Sequence, residues 1–305
     1  IKLPKRKLTK NAWDLIKDNS IDIVIELVGG TTIAKDFVLE SIKNGKHVVT
    51  ANKALLAHHG KAIFAEAAKK GVEVGFEASV GGGIPIIKAT QESYAANNVL
   101  SIHGIMNGTS NYILSTMTEH GYEFEDVLKE AQEKGYAEAD PSFDIDGVDA
   151  AHKLSILIML SFGTFLNFDK IPVEGIRNIT SLDIAYADEL EYQIKLLAIA
   201  KSREDGLEAG VYPTLVKKGT QLADVSGAFN AIYVVGDAVG PTMLYGMGAG
   251  MMPTASAVVG DVIQIAKHLA LGNTHLRAPS PYGKKINSSL IKTSETTTKY
   301  YLRFQ

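Results

Sequence analysis

Two residues of opposite charge, Asp149 and Lys153, precede the longest apolar run of the sequence and stand four positions apart. On a helix this spacing places both side chains on one face. A carboxylate beside an ammonium keeps the lysine charged and in place, which a proton donor to a developing alkoxide requires. The same spacing is typical of an ordinary ion pair on a solvated helix. The spacing by itself leaves both interpretations open and favours the ion pair.

An acidic loop comes before this helix and could supply further polar groups. It contains Tyr136 and Glu138, and Pro141 restrains it so that it can fold back over the start of the helix. We predict that the helix begins near Asp146, because acidic residues are favoured at the positive end of a helix. Apolar residues then recur at core-facing spacing from Leu154.

The stretch 135–153 resembles the signature of the homoserine dehydrogenases, in which a G-Y-x-E-x-D-P loop is followed by D-x-x-G-x-D-x-x-x-K. The matching residues are Gly135, Tyr136, Glu138, Asp140, Pro141, Asp144, Gly147, Asp149 and Lys153. Nine fixed residue types at fixed spacing are far more specific than a lone glycine motif. With this resemblance, which extends over residues 21 to about 269, the catalytic interpretation is preferred to the surface ion pair.

The composition fits a globular enzyme of ordinary kind. The 305 residues are 46% hydrophobic and 21% charged, enough for two domains with a substantial core. The net charge of −3 and a single short basic stretch at the start argue against a nucleic-acid partner. The chain contains no cysteine, which excludes disulfides and a cysteine nucleophile, and no apolar run is long enough to span a membrane. We expect a cytoplasmic enzyme that acts on a small molecule.

The first eighty residues alternate apolar strands and helices, which is typical of a doubly wound parallel sheet. Strands are predicted over residues 21–30, as a run covered on both faces, then over 48–50 and 72–80. No G-x-G-x-x-G phosphate turn occurs before Gly81. We therefore expect this Rossmann-like sheet to be incomplete, with its first βα unit outside the chain, so that the start of the chain is a cut.

The second part of the chain predicts a different architecture. A helix with Pro85 in its first turn, a strand over 99–106, a turn over 107–111 with a helix from Tyr112, and a helix over 123–134 lead into the central loop. Residues 173–244 are mostly strand and turn, which favours an open sheet with the central helices on one face. A final helix should return to the nucleotide domain.

We predict an α/β fold in which an α+β substrate and dimerisation domain with an open sheet follows the incomplete nucleotide-binding domain. The boundaries are 1–81 for the partial dinucleotide-binding domain, 82–250 for the substrate domain, 251–270 for the returning helix and 271–305 for a linker and the start of a further domain. Exposed sheet edges favour subunit pairing, as a homodimer or a tetramer. The end of the chain, YYLRFQ, resembles the first strand of a regulatory ACT domain, and the alternative is a terminal strand that pairs with the substrate sheet.

Ligands of doubly wound sheets bind at the carboxyl ends of the strands. The turns at 29–30, 50–53 and 77–83 are therefore candidate walls of one crevice. The resemblance implies that Lys53 faces the nicotinamide and the substrate carboxylate, where position alone would equally allow a solvated lysine. It also places the segment 107–111 beside the substrate, where helix capping by Thr109 or Ser110 is the alternative. The run 245–250 resembles the family's second glycine-rich segment, which approaches the nicotinamide half of the cofactor.

The resemblance implies four sets of site residues. The catalytic residues are Lys153, Asp149 and Glu138. The substrate-binding residues are Glu138, Asp144, Asp149, Tyr136, Gly108, Thr109 and Lys53. The cofactor-binding residues are Gly29, Thr50, Asn52, Lys53, Gly135, Glu138, Gly248 and Gly250. A structural sodium ion would be held by the backbone carbonyls of Glu77, Val80, Gly82 and Ile84, where a plain strand-to-helix turn is the alternative.

The histidines form no metal pattern, and we expect His152 to be structural because it faces a different side of the helix from Lys153. The resemblance implies a reversible, NAD(P)-dependent interconversion of L-homoserine and L-aspartate 4-semialdehyde, a step in threonine, methionine and isoleucine biosynthesis. Two alternatives remain. One is a Schiff-base lyase that uses Lys153 as nucleophile, and the other is a non-catalytic substrate-binding or dimerisation fragment.

Overall fold

The amino-terminal part of the chain alternates strands and helices, as its sequence predicts. A computed structural model describes residues 4–272 and 289–303. Its first elements are a 3-10 turn (Lys5–Lys7), α1 (Ala12–Lys17), β1 (Ile23–Glu26), α2 (Ile33–Lys43), β2 (His47–Thr50), α3 (Lys53–Lys70) and β3 (Val74–Gly75). The three strands are parallel and lie in the order β1-β2-β3, which confirms the predicted parallel sheet.

The central strand β2 has helices on both of its faces. Val48 packs into the main core with α2 and α3, whereas Val49 points the other way and packs with Val258 and Ile265. These last two residues belong to α10 (Met251–Ala270), which contacts β2 and β3. Successive side chains of a strand point to opposite faces. The final helix therefore covers the face of the first sheet that α2 and α3 leave open.

The first strand is shorter and more exposed than its sequence predicts. A strand over residues 21–30 covered on both faces is wrong, because β1 ends at Glu26 and Ile25 is 47% exposed. Leu27 and Val28 follow in an exposed loop. β1 is an edge strand, with β2 as its one neighbour among the described residues. The third strand is also short, since the chain turns into a 3-10 helix (Glu77–Ser79) directly after it.

The second part of the chain builds a larger, antiparallel sheet with helices against it. Its elements are α4 (Ile86–Lys88), a π turn (Ala89–Ser93), β4 (Val99–Ile105), α5 (Gly108–His120), α6 (Phe124–Glu133), α7 (Ser142–Ile145), α8 (Val148–Phe162), a 3-10 turn (Phe168–Lys170), α9 (Ser181–Glu189), β5 (Tyr192–Ser202), β6 (Leu207–Lys217), β7 (Phe229–Gly236) and β8 (Gly240–Met247). The strand order is β6-β5-β4-β7-β8. The predicted open sheet is confirmed.

The two faces of this sheet have different coverings. Leu196 and Ala198 of β5 belong to the main core, which includes the apolar side chains of α5 and α8. Leu197 lies on the opposite face, in a small cluster with Val225 and Ala231. Nearly every residue of α8 is buried, because the helix contacts α3 on one side and β4, β5 and β6 on another. Polar groups on α8 are therefore held between the two parts of the chain.

Three elements of this part differ from the sequence prediction. The helix predicted from Tyr112 begins at Gly108, because the side chain of Asn107 accepts a hydrogen bond from the backbone N–H of Ser110 and caps the helix there. Helix α9 is absent from the prediction, although Thr180 and Asp183 form a capping box at its start. The strand predicted at Val173 is a single bridge to β6.

The last described segment returns to the second sheet. Leu290 forms a bridge with Leu207 at the start of β6, and the Tyr301 hydroxyl donates a hydrogen bond of 3.1 Å to Asp183. Residues 298–303 form no strand and residues 304–305 lie outside the described part, so the resemblance of this end to an ACT-domain strand stays a prediction. Among the described helices, none has the length and apolar character needed to cross a membrane.

Candidate active site

The acidic residue and the lysine that begin helix α8 form a buried ion pair. Lys153 Nζ lies 2.7 Å from Asp149 Oδ2 and donates a second hydrogen bond of 2.6 Å to the backbone carbonyl of Met106. Asp149 is 3% exposed and Lys153 is 8% exposed. The surface ion pair that the spacing alone favours is therefore wrong. Burying two charges is costly unless they pair closely, so this position needs both partners.

A second lysine, from the other part of the chain, shares the same carboxylate. Lys53 is the first residue of α3, and its Nζ lies 2.9 Å from Asp149 Oδ1. Each oxygen of Asp149 thus faces one ammonium group. Burial by itself raises the pKa of Asp149, but the positive charges of Lys153 and Lys53 outweigh it and hold that pKa far below its usual range. Asp149 is therefore an anion at neutral pH, and it fixes both lysines.

Asn107 joins the two carboxylates of the site. It lies in the segment 107–111 that the resemblance places beside the substrate, but it is missing from the predicted site residues. Its Nδ2 donates hydrogen bonds of 2.8 Å to Asp149 and 2.7 Å to Asp144, while its Oδ1 caps α5. Thr109 is nearly buried, and its hydroxyl donates to the carbonyl of Tyr136 at 2.7 Å and lies 3.2 Å from Asp144. Burial, and then the nearby charge of Asp149, raise the pKa of Asp144 against these hydrogen bonds.

The turn before α8 is shaped by Gly147. Its φ of 83° lies in the left-handed region, and a Cβ there would stand 2.9 Å from the side chain of Val173. The left-handed turn at Gly147 directs the short helix α7 back against α8, where Asp144 accepts a hydrogen bond from the Asn107 amide. Gly108 has a similar constraint, since its Cβ would stand 2.8 Å from the carbonyl of Ala228.

The loop that carries Glu138 lies outside this polar cluster. Tyr136 is 47% exposed and its ring packs 4.7 Å from the ring of Tyr112, so that its backbone carbonyl and not its hydroxyl meets the site. Glu138 is exposed, and in the described part of the chain no hydrogen bond or ion pair reaches its carboxylate. Gly135 has a φ of 75° at the start of this loop. No contact of the Glu138 carboxylate in the described part of the chain supports its predicted catalytic role, which stays a prediction.

The carboxyl ends of β1 and β2 are held together by Glu26, which the sequence analysis also missed. Its Oε1 accepts hydrogen bonds from the backbone N–H groups of Val28 at 2.8 Å and Gly29 at 3.1 Å, and its Oε2 accepts one from the Thr50 hydroxyl at 2.7 Å. The Asn52 amide donates to the carbonyl of Gly30 at 2.8 Å. A polar residue at the end of an apolar strand is the one sequence signal that could have identified Glu26.

A cleft of about 350 Å³ lies between these strand ends, the start of α3 and Phe143 of α7. Its lining residues are Leu27, Gly29, Ala51, Asn52, Lys53, Ala54 and Phe143. Lys53 thus faces both the cleft and Asp149, and its Nζ lies 5.5 Å from the centre of the Phe143 ring. The structure brings together five of the predicted residues, Lys53, Thr109, Asp144, Asp149 and Lys153, beside a crevice at the end of a parallel sheet. Two predicted cofactor residues, Gly29 and Asn52, line that crevice.

The segment predicted to bind sodium is a tight, buried turn. The Glu77 carboxylate points inward and accepts hydrogen bonds from the backbone N–H groups of Ile87 at 2.8 Å and Lys88 at 3.0 Å, and burial raises its pKa to about 7. Val80 and Gly82 are buried, and no hydrogen bond from the described residues reaches their carbonyl oxygens. No group of three or more His, Asp or Glu side chains suited to a metal occurs among the described residues.

The second glycine-rich segment packs on that turn. A Cβ on Gly248 would stand 2.0 Å from the buried Asn230 side chain, and one on Gly82 would stand 2.5 Å from the carbonyl of Gly248. Gly250, with a φ of 120°, precedes helix α10. The structure therefore places Gly248 against the predicted sodium turn, and the predicted contact of Gly248 and Gly250 with a cofactor stays a prediction.

Two family models match this chain. One, described as "Homoserine dehydrogenase", covers residues 85–263, and the other, described as "Homoserine dehydrogenase, NAD binding domain", covers residues 1–77. The chain belongs to the homoserine dehydrogenase family. This membership confirms the resemblance of the 135–153 segment, and it confirms a nicotinamide-nucleotide domain in the first part of the chain.

Curated relatives and solved structures of the family agree. A homoserine dehydrogenase of Neisseria gonorrhoeae is 50% identical over 99% of this chain and 70% of its own length, and one of Pseudomonas aeruginosa is 54% identical over 85% and 60%. The crystal structure of a homoserine dehydrogenase from Thiobacillus denitrificans superposes with a TM-score of 0.87 at 52% identity, covering 93% of this chain and 66% of that one. A hyperthermophilic archaeal homoserine dehydrogenase in complex with NADPH gives 0.73 at 26% identity, over 85% and 76%.

Proposed function

We propose that this chain carries the active site of an NAD(P)-dependent homoserine dehydrogenase, which interconverts L-homoserine and L-aspartate 4-semialdehyde. The observation that supports it most is the buried arrangement of Lys53, Asp149 and Lys153 beside the cleft at the strand ends. Two ammonium groups on one carboxylate offer, within one site, a proton donor and a point charge for the carboxylate of the substrate. The reaction is a step in threonine, methionine and isoleucine biosynthesis.

The cofactor would bind along the carboxyl ends of β1 and β2. The turn at 29–30, held by Glu26, and the backbone at Thr50 and Asn52 fit a nucleotide that enters the cleft from the sheet. A bound nicotinamide supplies or accepts the hydride at C4 of the substrate. The protein supplies position and charge around that transfer. NAD and NADP are both compatible with these residues.

Lys153 gives or takes the proton on the substrate oxygen. In the reductive direction the carbonyl carbon gains a hydride, and Lys153 Nζ delivers the proton that turns the oxygen into a hydroxyl. Asp149 holds Lys153 through the 2.7 Å contact, so that the ammonium group keeps a fixed orientation. Lys53 provides the positive charge for the substrate carboxylate. Asp144, with its raised pKa, and the predicted residue Glu138 are candidates to hold the substrate ammonium.

We also propose the sodium site predicted from the sequence. Sodium prefers oxygen ligands, and the carbonyls of Val80 and Gly82 are free of hydrogen bonds from the described residues. The carbonyls of Glu77 and Ile84 each accept one backbone hydrogen bond, which leaves the second lone pair of each oxygen for a ligand. The ion would stiffen the turn against Gly248, and its role is structural.

A homodimer is the proposed assembly, with a tetramer as the alternative. The edge strand β8 exposes Tyr245 and Met247, by 53% and 56%, and an unprotected edge of this kind invites a partner strand. Light scattering after size exclusion measures the mass directly. A measured mass equal to one chain would contradict both the homodimer and the tetramer. It would not bear on the proposed activity.

The activity is tested by following reduced nicotinamide while L-homoserine is supplied to the purified protein, with L-serine as a matched substrate control. We expect homoserine-dependent reduction of NAD or NADP and little reduction with L-serine, whose shorter side chain places its hydroxyl one carbon away from the transfer. No homoserine-dependent reduction would overturn the proposal. The lyase alternative predicts instead that borohydride traps substrate on Lys153, which the adjacent Asp149 disfavours by stabilising the ammonium form.

A further inference from the structure

Four aromatic rings pack together beside the buried ion pair. The ring of His152 lies 4.2 Å from that of Phe168 at 87°, 5.3 Å from that of Phe143 at 64°, and 5.6 Å from that of His58 at 70°. His58 and Phe168 are themselves 4.6 Å apart. Edge-on packing of this kind is a favourable arrangement of aromatic rings. We call these four residues the ring cluster, and His152 is the member that touches all the others.

The ring cluster joins the elements that carry the charged groups. His58 lies on α3, five positions after Lys53, and His152 lies on α8 directly before Lys153. Phe143 lies on α7, lines the cleft and stands below Lys53 Nζ. Phe168 belongs to the turn that follows α8. The ring cluster therefore connects the helices that carry both lysines.

His152 contributes to this cluster through its shape alone. It is 4% exposed, and neither of its ring nitrogens has a hydrogen-bond partner among the described residues. Burial lowers its pKa to about 4, with a further lowering from His58 and Lys53 and an opposing effect from Asp149 and Asp169. At neutral pH the ring is uncharged, so it adds no third cation beside the two lysines.

We propose that His152 is a positioning residue whose ring keeps α3 and Phe143 against α8, so that Lys53 meets Asp149 and the cleft keeps its aromatic wall. The packing role stands without the proposed function, whereas its effect on turnover rests on that function. Because neither ring nitrogen is bonded, a phenylalanine should replace His152 and an alanine should not.

A distance measurement tests the packing role directly. The chain contains no cysteine, so Lys61→Cys on α3 and Lys129→Cys on α6, both exposed, would carry the only two spin labels. We expect His152→Ala to broaden the distance distribution between them and His152→Phe to restore the original width. His58→Ala removes an exposed ring that folding tolerates, and it should broaden the distribution less. His103→Ala, which removes a histidine packed on Tyr233 of the second sheet, is the matched control and should change nothing.

Steady-state kinetics test the effect on the site. His152→Ala should raise the KM for the nicotinamide cofactor roughly three- to tenfold, with a smaller change in kcat, and His152→Phe should restore it. An unchanged distance distribution in both His152→Ala and His58→Ala would overturn the inference, as would a lower melting temperature with unaltered KM. If the parent protein shows no homoserine-dependent turnover, the proposed function fails while the distance distributions still decide the role of the ring cluster.

Discussion

Replacing Asp149 by asparagine should damage both stability and catalysis. Asp149 is 3% exposed and contacts Lys53 at 2.9 Å, Lys153 at 2.7 Å and Asn107 at 2.8 Å. Asparagine keeps the shape but leaves two ammonium groups beside each other without a counter-ion. Breaking one partner of a buried ion pair costs about 3–5 kcal/mol, so we expect a loss of this size in the free energy of unfolding. Because both lysines lose their anchor, kcat should fall by about 10²–10⁴.

Urea unfolding and initial rates measure the two effects on one preparation. Asp146→Asn is the matched control, because Asp146 pairs with Arg177 in an ion pair whose side chains are 41% and 46% exposed. Exposed pairs contribute about 0–1 kcal/mol, so the control should stay within that range. The pKa of Asp149 is depressed in the folded state, so its stabilising contribution is complete above the unfolded pKa of about 4 and is lost at lower pH. Equal, small losses of unfolding free energy and of kcat in the two variants would show that Asp149 does not hold the two lysines.

Three further predictions concern the cleft and the ring cluster. Glu26→Ala should weaken cofactor binding about tenfold, as measured by fluorescence titration, because it frees the turn at 29–30, while Glu26→Gln, which can keep the three hydrogen bonds, should bind nearly normally. Lys53→Met should raise the KM for homoserine more than it changes the melting temperature, and equal KM values would argue against its role as a point charge for the carboxylate. His152 has a folded pKa of about 4, below its unfolded value of about 6.5, so the folded state binds fewer protons and stability should fall by up to about 3 kcal/mol as pH decreases through this interval. His152→Phe should lack that part of the slope, and parallel curves for the two proteins would contradict the shift.

Much of the fold follows from the sequence, because the hydrophobic periodicity and the residues that begin and end the helices indicate the same elements. The alternation of apolar strands and capped helices predicts the parallel sheet, and Gly45 and Gly71 end α2 and α3 in left-handed conformations, with φ of 74° and 69°. What the pattern could not give is which strand lies at an edge. β1 has the composition of a buried strand, yet it lies at the edge of the three-stranded sheet that the structure describes, and Ile25 on one of its faces is 47% exposed. Which strand lies at the edge of a sheet depends on tertiary contacts, which the local sequence pattern does not show.

The site was predicted where residue types at fixed spacing carry the chemistry. The spacing of Asp149 and Lys153 alone favours a surface ion pair, and only the resemblance of the whole segment 135–153 selects them as site residues. Glu26 and Asn107 act through contacts with distant segments. The resemblance points to the segment 107–111 that contains Asn107, whereas Glu26 is marked only as a polar residue at the end of a strand. Glu138 illustrates the reverse case, since its signature position is matched and its side chain is exposed without a partner among the described residues.

The turnover of Lys153→Met with L-homoserine shows directly whether the Lys153 ammonium moves the proton of the reaction. Methionine fills the space of the lysine stem and removes the ammonium, so kcat should fall by about 10²–10⁴, the usual contribution of a general acid or base, while cofactor affinity stays within about twofold. Lys195→Met is the matched control, since Lys195 is a second buried lysine, 2% exposed, whose Nζ donates to the carbonyl of Val225 in the second sheet. We expect Lys153→Met to lose turnover and Lys195→Met to retain it. Undiminished turnover of Lys153→Met would contradict this expectation.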